Sequence, residues 1–352
     1  MKDKNNQTFI WKDHIRKRPG MYLGELGLTG FKNMLRYLLE EILNDCFENP
    51  VLEISFLQNN EITLKIININ TQKFLQRLAD LKNTNIEWYN LGLGVLIALS
   101  YNFKIGINDL QSYVVGHRGD FKMASKVPND EGNIVLISFS IDKEIFKNFE
   151  FDYELINSFL YQFAILNPNL KIISEDKTDD ELQRIIFHYP TGVFKELDSF
   201  ISQQDYSKPY FRINIDAIIN NYSYKIGISY SRINMDKFHI KTYAGNYETY
   251  EGGSLNNGIL GGIILAIKTI AEKENIEIKI NRKLLKDQLI VIAAVRGEDL
   301  IFEGSIKNRL GMAKVQQDVK KLVSQEIIKY FEFTPKSKEA ILAKFTPWDS
   351  YV

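Results

Sequence analysis

At 352 residues, with 45% hydrophobic and 25% charged side chains, the chain has a globular composition and room for two separate cores, which excludes a fibre or a disordered polymer. Its 44 basic residues balance 44 acidic ones, so it lacks the basic excess of a protein that grips duplex DNA over a wide surface; whether a local groove meets DNA is left open. One cysteine, Cys46, excludes an internal disulfide, and with four scattered histidines it permits no tetrahedral zinc spacing.

The opening Met1-Lys-Asp-Lys-Asn-Asn-Gln has no apolar leader core. The longest apolar run, 258–267, is too short to span a bilayer. A cytoplasmic protein with no membrane partner is therefore expected. Residues 28–47 form the first predicted helix, with Phe31, Met34, Leu35, Leu38, Leu39, Ile42, Leu43 and Cys46 at helical spacing and Pro50 beyond its end. Strands follow at 51–57 and 62–69, joined through Asn59-Asn60. Helices are predicted at 74–81 and 94–100, and strands at 102–108, 111–118 and 133–140. A second amphipathic helix at 152–166 precedes strands near 170–174 and 183–188. That order reads as an α+β sandwich, a mixed sheet with helices over one face.

A helix at 193–201 and the polar run 202–209 mark the domain boundary, placed between residues 205 and 206. Beyond it, Tyr224, Ile226, Ile228 and Tyr230 alternate as the buried face of a strand. Strands at 238–244 and 289–295 bracket a helix at about 255–274. A long helix at 312–331 and a short one at 337–344 end the chain, separated by Thr334-Pro335.

Several stretches carry a family resemblance. Arg16-Lys-Arg-Pro-Gly-Met-Tyr-Leu-Gly24 resembles the R-K-R-P-G-M-Y-I-G segment of DNA gyrase B and topoisomerase IV ATPase subunits. In order behind it, 141–146, 151–156 and 163–168 are similar to that family's P-D-x-x-I-F, F-D-Y-E-x-L and L-A-F-L-N-x sections. Residues 246–254, 287–295 and 302–310 resemble its N-x-I-x-T-x-E-G-G-T, D-x-R-E-G-L-x-A-V-V-S-V and F-x-x-Q-T-K-x-K-L stretches. The resemblance implies a GHKL (Bergerat-type) α/β sandwich over 1–205 and a ribosomal-protein-S5-like transducer domain over 206–352. No E-G-D-S-A stretch of the cleavage domain is present, so the resemblance implies no DNA cutting by this chain alone.

The family's ATP chemistry needs a glutamate base, a magnesium asparagine one helical turn later, an adenine-binding D-x-G-x-G box, a glycine-rich phosphate loop and a transducer lysine. Aligned without gaps from Thr29-Gly30-Phe31, the base position holds Tyr37 and the magnesium position Glu41. A slide of three residues offers Glu40 and Asn44 instead. The ungapped register keeps Leu38, Leu39, Leu43 and Cys46 on apolar positions and is preferred; as plain helix residues, Glu40 and Glu41 read as a solvated face. Ile66 stands at the adenine position, and no glycine lies between Gly30 and Gly92, so the D-x-G-x-G box is gone. Gly92 and Gly94 of Asn90-Leu-Gly-Leu-Gly are what remains of the phosphate loop, read as a tight strand-to-helix turn. The stretch before it is about half the family's length, which implies a missing ATP lid. Lys307 takes the transducer-lysine position, but Ser305 and Ile306 replace the Gln and Thr before it.

The expectation is a catalytically degenerate, gyrase-B-like scaffold. It would need no cofactor, self-associate through its N-terminal domain and work with a topoisomerase or another protein. The alternative is an ATP-dependent type II topoisomerase ATPase subunit that binds ATP and magnesium through Glu40, Asn44 and Lys307 and needs a separate cleavage subunit.

Overall fold

The computed structural model describes residues 10–83, 90–126, 132–147, 149–178, 182–203, 209–232, 239–304 and 306–347. The chain divides into two compact units, Met1–Pro190 and Thr191–Val352. The first opens with α1 (Trp11–Lys17) and α2 (Pro19–Leu23), two short helices within and before the Arg16–Gly24 stretch that periodicity did not predict. α3 (Leu28–Leu43) ends earlier than expected, because the chain turns at Asn44-Asp45 and Cys46 already pairs with Ile69 in a sheet. Cys46 therefore opens a strand and is not a helix residue.

Around α3 lie β1 (Cys46–Leu57), β2 (Glu61–Ile69), α4 (Thr71–Lys82), α5 (Leu91–Leu99), β3 (Ser100–Ile107), β4 (Leu110–His117), β5 (Asp120–Met123), β6 (Ile134–Ile141), α6 (Tyr153–Leu166), β7 (Lys171–Lys177) and β8 (Gln183–Phe187). The strands form one mixed sheet in the order β5-β4-β3-β6-β2-β1-β7-β8, with β1 and β7 parallel and the other pairs antiparallel. Alternation along the strands separates the two faces. Leu52, Ile54 and Phe56 of β1, with Ile62, Leu64 and Ile66 of β2, join the core shared with α3, α5 and α6. The opposite face carries Glu53, Lys65 and Ser138, with Lys65 paired to Glu53 directly across the strands at 3.3 Å. Asp152 starts α6 by accepting a hydrogen bond from the Leu155 N–H at 2.9 Å, and Asn70 starts α4 by accepting from Lys73 N–H at 3.1 Å.

The second unit begins before α7 (Val193–Gln203), ahead of the boundary expected at 205/206. The reason is packing. α7 lies on β10 (Tyr222–Tyr230) and β13 (Leu289–Arg296), with Leu197 fully buried against Gly227, while Asp198 pairs with Arg212. Residues 204–208 of the polar run lie outside the described residues. With β9 (Phe211–Ile219), β11 (His239–Ala244) and β12 (Tyr247–Glu248), these strands make a sheet in the order β12-β11-β13-β10-β9. α8 (Ser254–Lys273) and α10 (Ala313–Phe333) pack closely on each other, and α9 (Arg282–Asp287) and α11 (Pro335–Phe345) complete the unit.

At 20 residues α8 is long and apolar enough to cross a bilayer by length and composition, unlike the shorter apolar run 258–267 within it. It is a core helix: Leu255, Ile259, Ile263 and Ile267 are buried among β-strand side chains. A Cβ at Gly258 or Gly262 would lie 2.9 or 2.8 Å from the carbonyl oxygen of Gln316 or Lys320 on α10, so the helices approach as closely as they do only because both residues are glycine.

Candidate functional site

The N-terminus of α5 sits against the middle of α3. Its first turn leaves backbone N–H groups without partners inside the helix, as in every α-helix. Asn90, at the cap position, makes no side-chain capping bond. The acceptor comes from α3. Glu41 Oε2 receives the Gly92 N–H at 2.6 Å and the Leu93 N–H at 3.3 Å, the second and third helical positions that a cap normally serves.

Glu41 is 6% exposed, so the reading of a solvated helix face is wrong for this residue. Its position one helical turn beyond Tyr37 turns it toward α5. Burial pushes its carboxyl up to about 8; Arg77 and the two backbone N–H bonds pull the other way, and Asp45 adds to the rise.

Gly92 allows the approach, because a Cβ there would come within 2.4 Å of the Tyr37 carbonyl oxygen. Gly92 and Gly94 lie inside α5 as buried helix residues rather than in a turn leading into it. Tyr37, Glu41 and Gly92 are thus brought together. Tyr37 is partly buried, and burial raises its phenol further above the ordinary tyrosine value. Of the alternative pair, Glu40 is half-buried, and Asn44 is exposed at the C-terminal cap of α3.

Ile66 is 2% exposed on the helix-facing side of β2. The crevice it lines with Leu39, Leu43, Leu52 and Phe163 has wholly apolar walls and holds about 10 Å³, space for at most a single water.

One buried and one partly buried ion pair brace these elements, and neither was identified from the sequence. Arg77 of α4 grips Asp45 with two parallel bonds, Nε to Oδ2 at 2.5 Å and Nη2 to Oδ1 at 2.8 Å. The available signal was an arginine set within the apolar stripe Phe74, Leu78 and Leu81. Arg16, from the stretch that carries the family resemblance, donates to the Ala98 carbonyl at 2.7 Å and to Asp142 at 2.7 Å. It ties the last turn of α5 to the end of β6, and Arg118 approaches the same Asp142, which is only 1% exposed, at 3.3 Å.

In the second unit Lys307 has left-handed backbone, with φ of 59°. Its Nζ lies 4.2 Å from the centre of the Tyr247 ring and 6.0 Å from that of Phe302, a cation–π contact within its own unit. The loop is closed by the Phe302–Leu310 bridge and by Arg309, which donates to Glu303 at 2.6 Å and to the Glu251 carbonyl at 2.9 Å. Ser305 lies outside the described residues.

As a set for magnesium and adenine these side chains do not fit. The oxygen at the metal position is spent on backbone N–H groups, and the adenine position offers a buried alkyl group with no acceptor. Among the described residues no three His, Cys, Asp or Glu side chains gather as a metal site.

A family model for DNA gyrase B matches residues 191–347. The chain is 26% identical to the DNA gyrase B protein of Metamycoplasma arthritidis, over 97% of this chain and 59% of that one. It is 25% identical to the DNA gyrase B protein of Clostridium acetobutylicum, over 94% and 56%. It therefore spans somewhat more than half the length of these relatives. Among solved structures it resembles the 43K ATPase domain of Thermus thermophilus gyrase B in complex with an aminocoumarin, with a TM-score of 0.73 at 19% identity, covering 95% of this chain and 93% of that one. It also resembles the gyrase B-subunit of Myxococcus xanthus, with a TM-score of 0.76 at 18% identity over 95% and 99% of the two chains. The fold is that of the GHKL sandwich followed by a transducer domain.

Proposed function

We propose that this chain, a divergent relative of the N-terminal ATPase and transducer regions of DNA gyrase B, is a binding or regulatory scaffold that turns over little or no ATP. Ile66 carries the reading. Where the family presents a carboxylate to the adenine amino group, this chain packs a buried alkyl side chain against a crevice of about 10 Å³. An adenine placed there would lose its water and gain no acceptor, at about 1–3 kcal/mol for the unpaired amino group alone. Tyr37 supports the same reading, since a phenol whose pKa is raised by burial is no general base near neutrality.

On this reading no ATP or magnesium is required as a cofactor. The chain acts in the cytoplasm through protein contacts, by self-association of its N-terminal unit and with a topoisomerase or another protein as partner. Light scattering on the purified chain tests the first of these contacts: a strictly monomeric protein at high concentration refutes it.

Nucleotide chemistry is tested by calorimetric and thermal-shift titration with ATP and magnesium, with phosphate release measured in parallel. The expected outcome is no saturable heat, an unmoved Tm and no release above the protein-free rate. Magnesium-dependent saturation, with phosphate release that Glu40→Ala abolishes, would overturn the proposal in favour of an ATPase subunit working through Glu40, Asn44 and Lys307.

A further inference from the structure

A β-sheet ends in a row of backbone N–H and C=O groups with no neighbour, and chains guard such a row with short strands, charges or a covering segment. Three of the four sheet edges among the described residues are guarded. β12 has two residues; β5 has four, with Asp120 paired to Lys12 and Lys122 exposed; β9 sets Arg212 and Asp216 along its open face. β8, the remaining edge, is different. Its ladder runs to β7 alone, and among the described residues no backbone group bonds its outer side. The one charge it carries, Arg184, lies opposite Glu175 of β7 and approaches it at 3.5 Å.

The side chains left open at that edge are apolar. Leu182 is 54% exposed, Ile185 38% and Ile186 51%. Ile185 shares a face with buried Phe187, the side on which α6 packs, and Ile186 shares the opposite face with Arg184. The start of α6 lies beside them, its Tyr153 hydroxyl 3.4 Å from the Gln183 carbonyl oxygen, and adds Leu155, 49% exposed. Apolar side chains above and below an unpaired backbone are what a second β-strand covers.

We propose that β8 is a self-association edge, pairing antiparallel with β8 of a second copy so that the two eight-stranded sheets become continuous. The strand's own pattern selects this occupant and its register. A two-fold axis perpendicular to the sheet keeps every side chain on its own face, so only residues an even number of positions apart can meet. Centring the axis on Arg184 would set like charges directly opposite, and centring it on Ile186 would set Arg184 against His188. Centred on Ile185, it sets Ile185 against its copy, Arg184 against Ile186 and Gln183 against Phe187, with each Arg184 still beside its own Glu175. A five-residue seam is much smaller than the roughly 1,600 Å² of a standard interface, so the pairing is weak, with a Kd on the order of 10–100 µM. The proposal names a surface for the self-association put forward above and rests on that reading.

Sedimentation equilibrium of the full-length chain from about 5 to about 500 µM should show the wild type passing from monomer toward dimer. Ile185→Lys puts two ammonium groups at the axis and should weaken the pairing by at least ~10-fold with an unchanged Tm; Ile186→Lys, on the other face, replaces it if that variant does not fold. In a Cys46→Ser background, Ile185→Cys should be linked to its copy by added oxidised glutathione, and Arg184→Cys, which faces Ile186, far more slowly.

A dimer that survives the lysine variant, or that is linked no faster at Ile185→Cys than at Arg184→Cys, overturns the proposal and leaves self-association itself intact on another surface. A wild type that stays monomeric to about 500 µM overturns both. Binding of ATP with magnesium by a chain that pairs through Ile185 defeats the scaffold reading alone.

Discussion

Replacing Glu41 by Gln keeps the shape of the cap and removes its titration, and the consequence for stability can be worked from the structure. The carboxyl is lifted from 4.5 to about 8 in the folded chain, chiefly by burial. A folded-state pKa above the unfolded value means that folding takes up a proton. The stabilisation is fully present below the unfolded value of 4.5 and is lost as pH climbs to the folded value of about 8. Each unit of pKa difference is worth about 1.4 kcal/mol, so the first unit should lose on the order of 5 kcal/mol across that window from this group alone.

Glu41→Gln cannot ionise and should not show that loss. The assay is urea unfolding of both proteins between about pH 5 and pH 9, followed through near-ultraviolet dichroism of the first unit. The Gly92 amide shift gives an independent titration of Glu41 in the wild type. The gap in favour of the glutamine variant should widen with pH and level off near 8. Parallel pH profiles, or a Gly92 amide that titrates in the ordinary carboxylate range, would refute the reasoning.

Other consequences are as direct. Arg16→Ala leaves Asp142, 1% exposed, with the more distant Arg118 and the Glu144 N–H, and should destabilise the first unit by about 2–4 kcal/mol in urea unfolding. Gly262→Ala places a Cβ 2.8 Å from the Lys320 carbonyl oxygen; forcing α8 from α10 should cost about 1–3 kcal/mol, read as a lowered Tm of the second unit. Burial lifts the Cys46 thiol to about 12, so at pH 8 its reaction with a disulfide reagent should be at least ~100-fold slower than that of free cysteine and should recover in urea.

Much of the fold was legible because periodicity reports burial. The alternation in 62–69 and the helical stripe in 28–43 are direct images of a core-facing surface, and the loss of glycine and aspartate from the adenine box could be read without any alignment. The cap at Glu41 could not. A glutamate inside an amphipathic helix has the same local signature whether it meets water or a second helix, and only the fold brings residue 92 to residue 41. Arg77 and Asp45 were hidden for the same reason, as polar residues embedded in apolar stripes whose mutual satisfaction is a tertiary event. The short helices α1 and α2 were missed because their stretch reads as a proline-glycine loop, although Pro19 at the first position of α2 is a favoured helix start.

The parallel pairing of β1 with β7 sets a timetable for the chain's birth on the ribosome. Val51 finds its partner only at Lys171, and Leu57 only at Lys177. At about 5–20 residues per second, the far border of β1 stays unzipped for roughly 6 to 24 seconds after it is made. The β1–β2 hairpin therefore emerges as a nascent ribbon with one bare margin, and the first unit closes only when almost all of its polypeptide has been delivered.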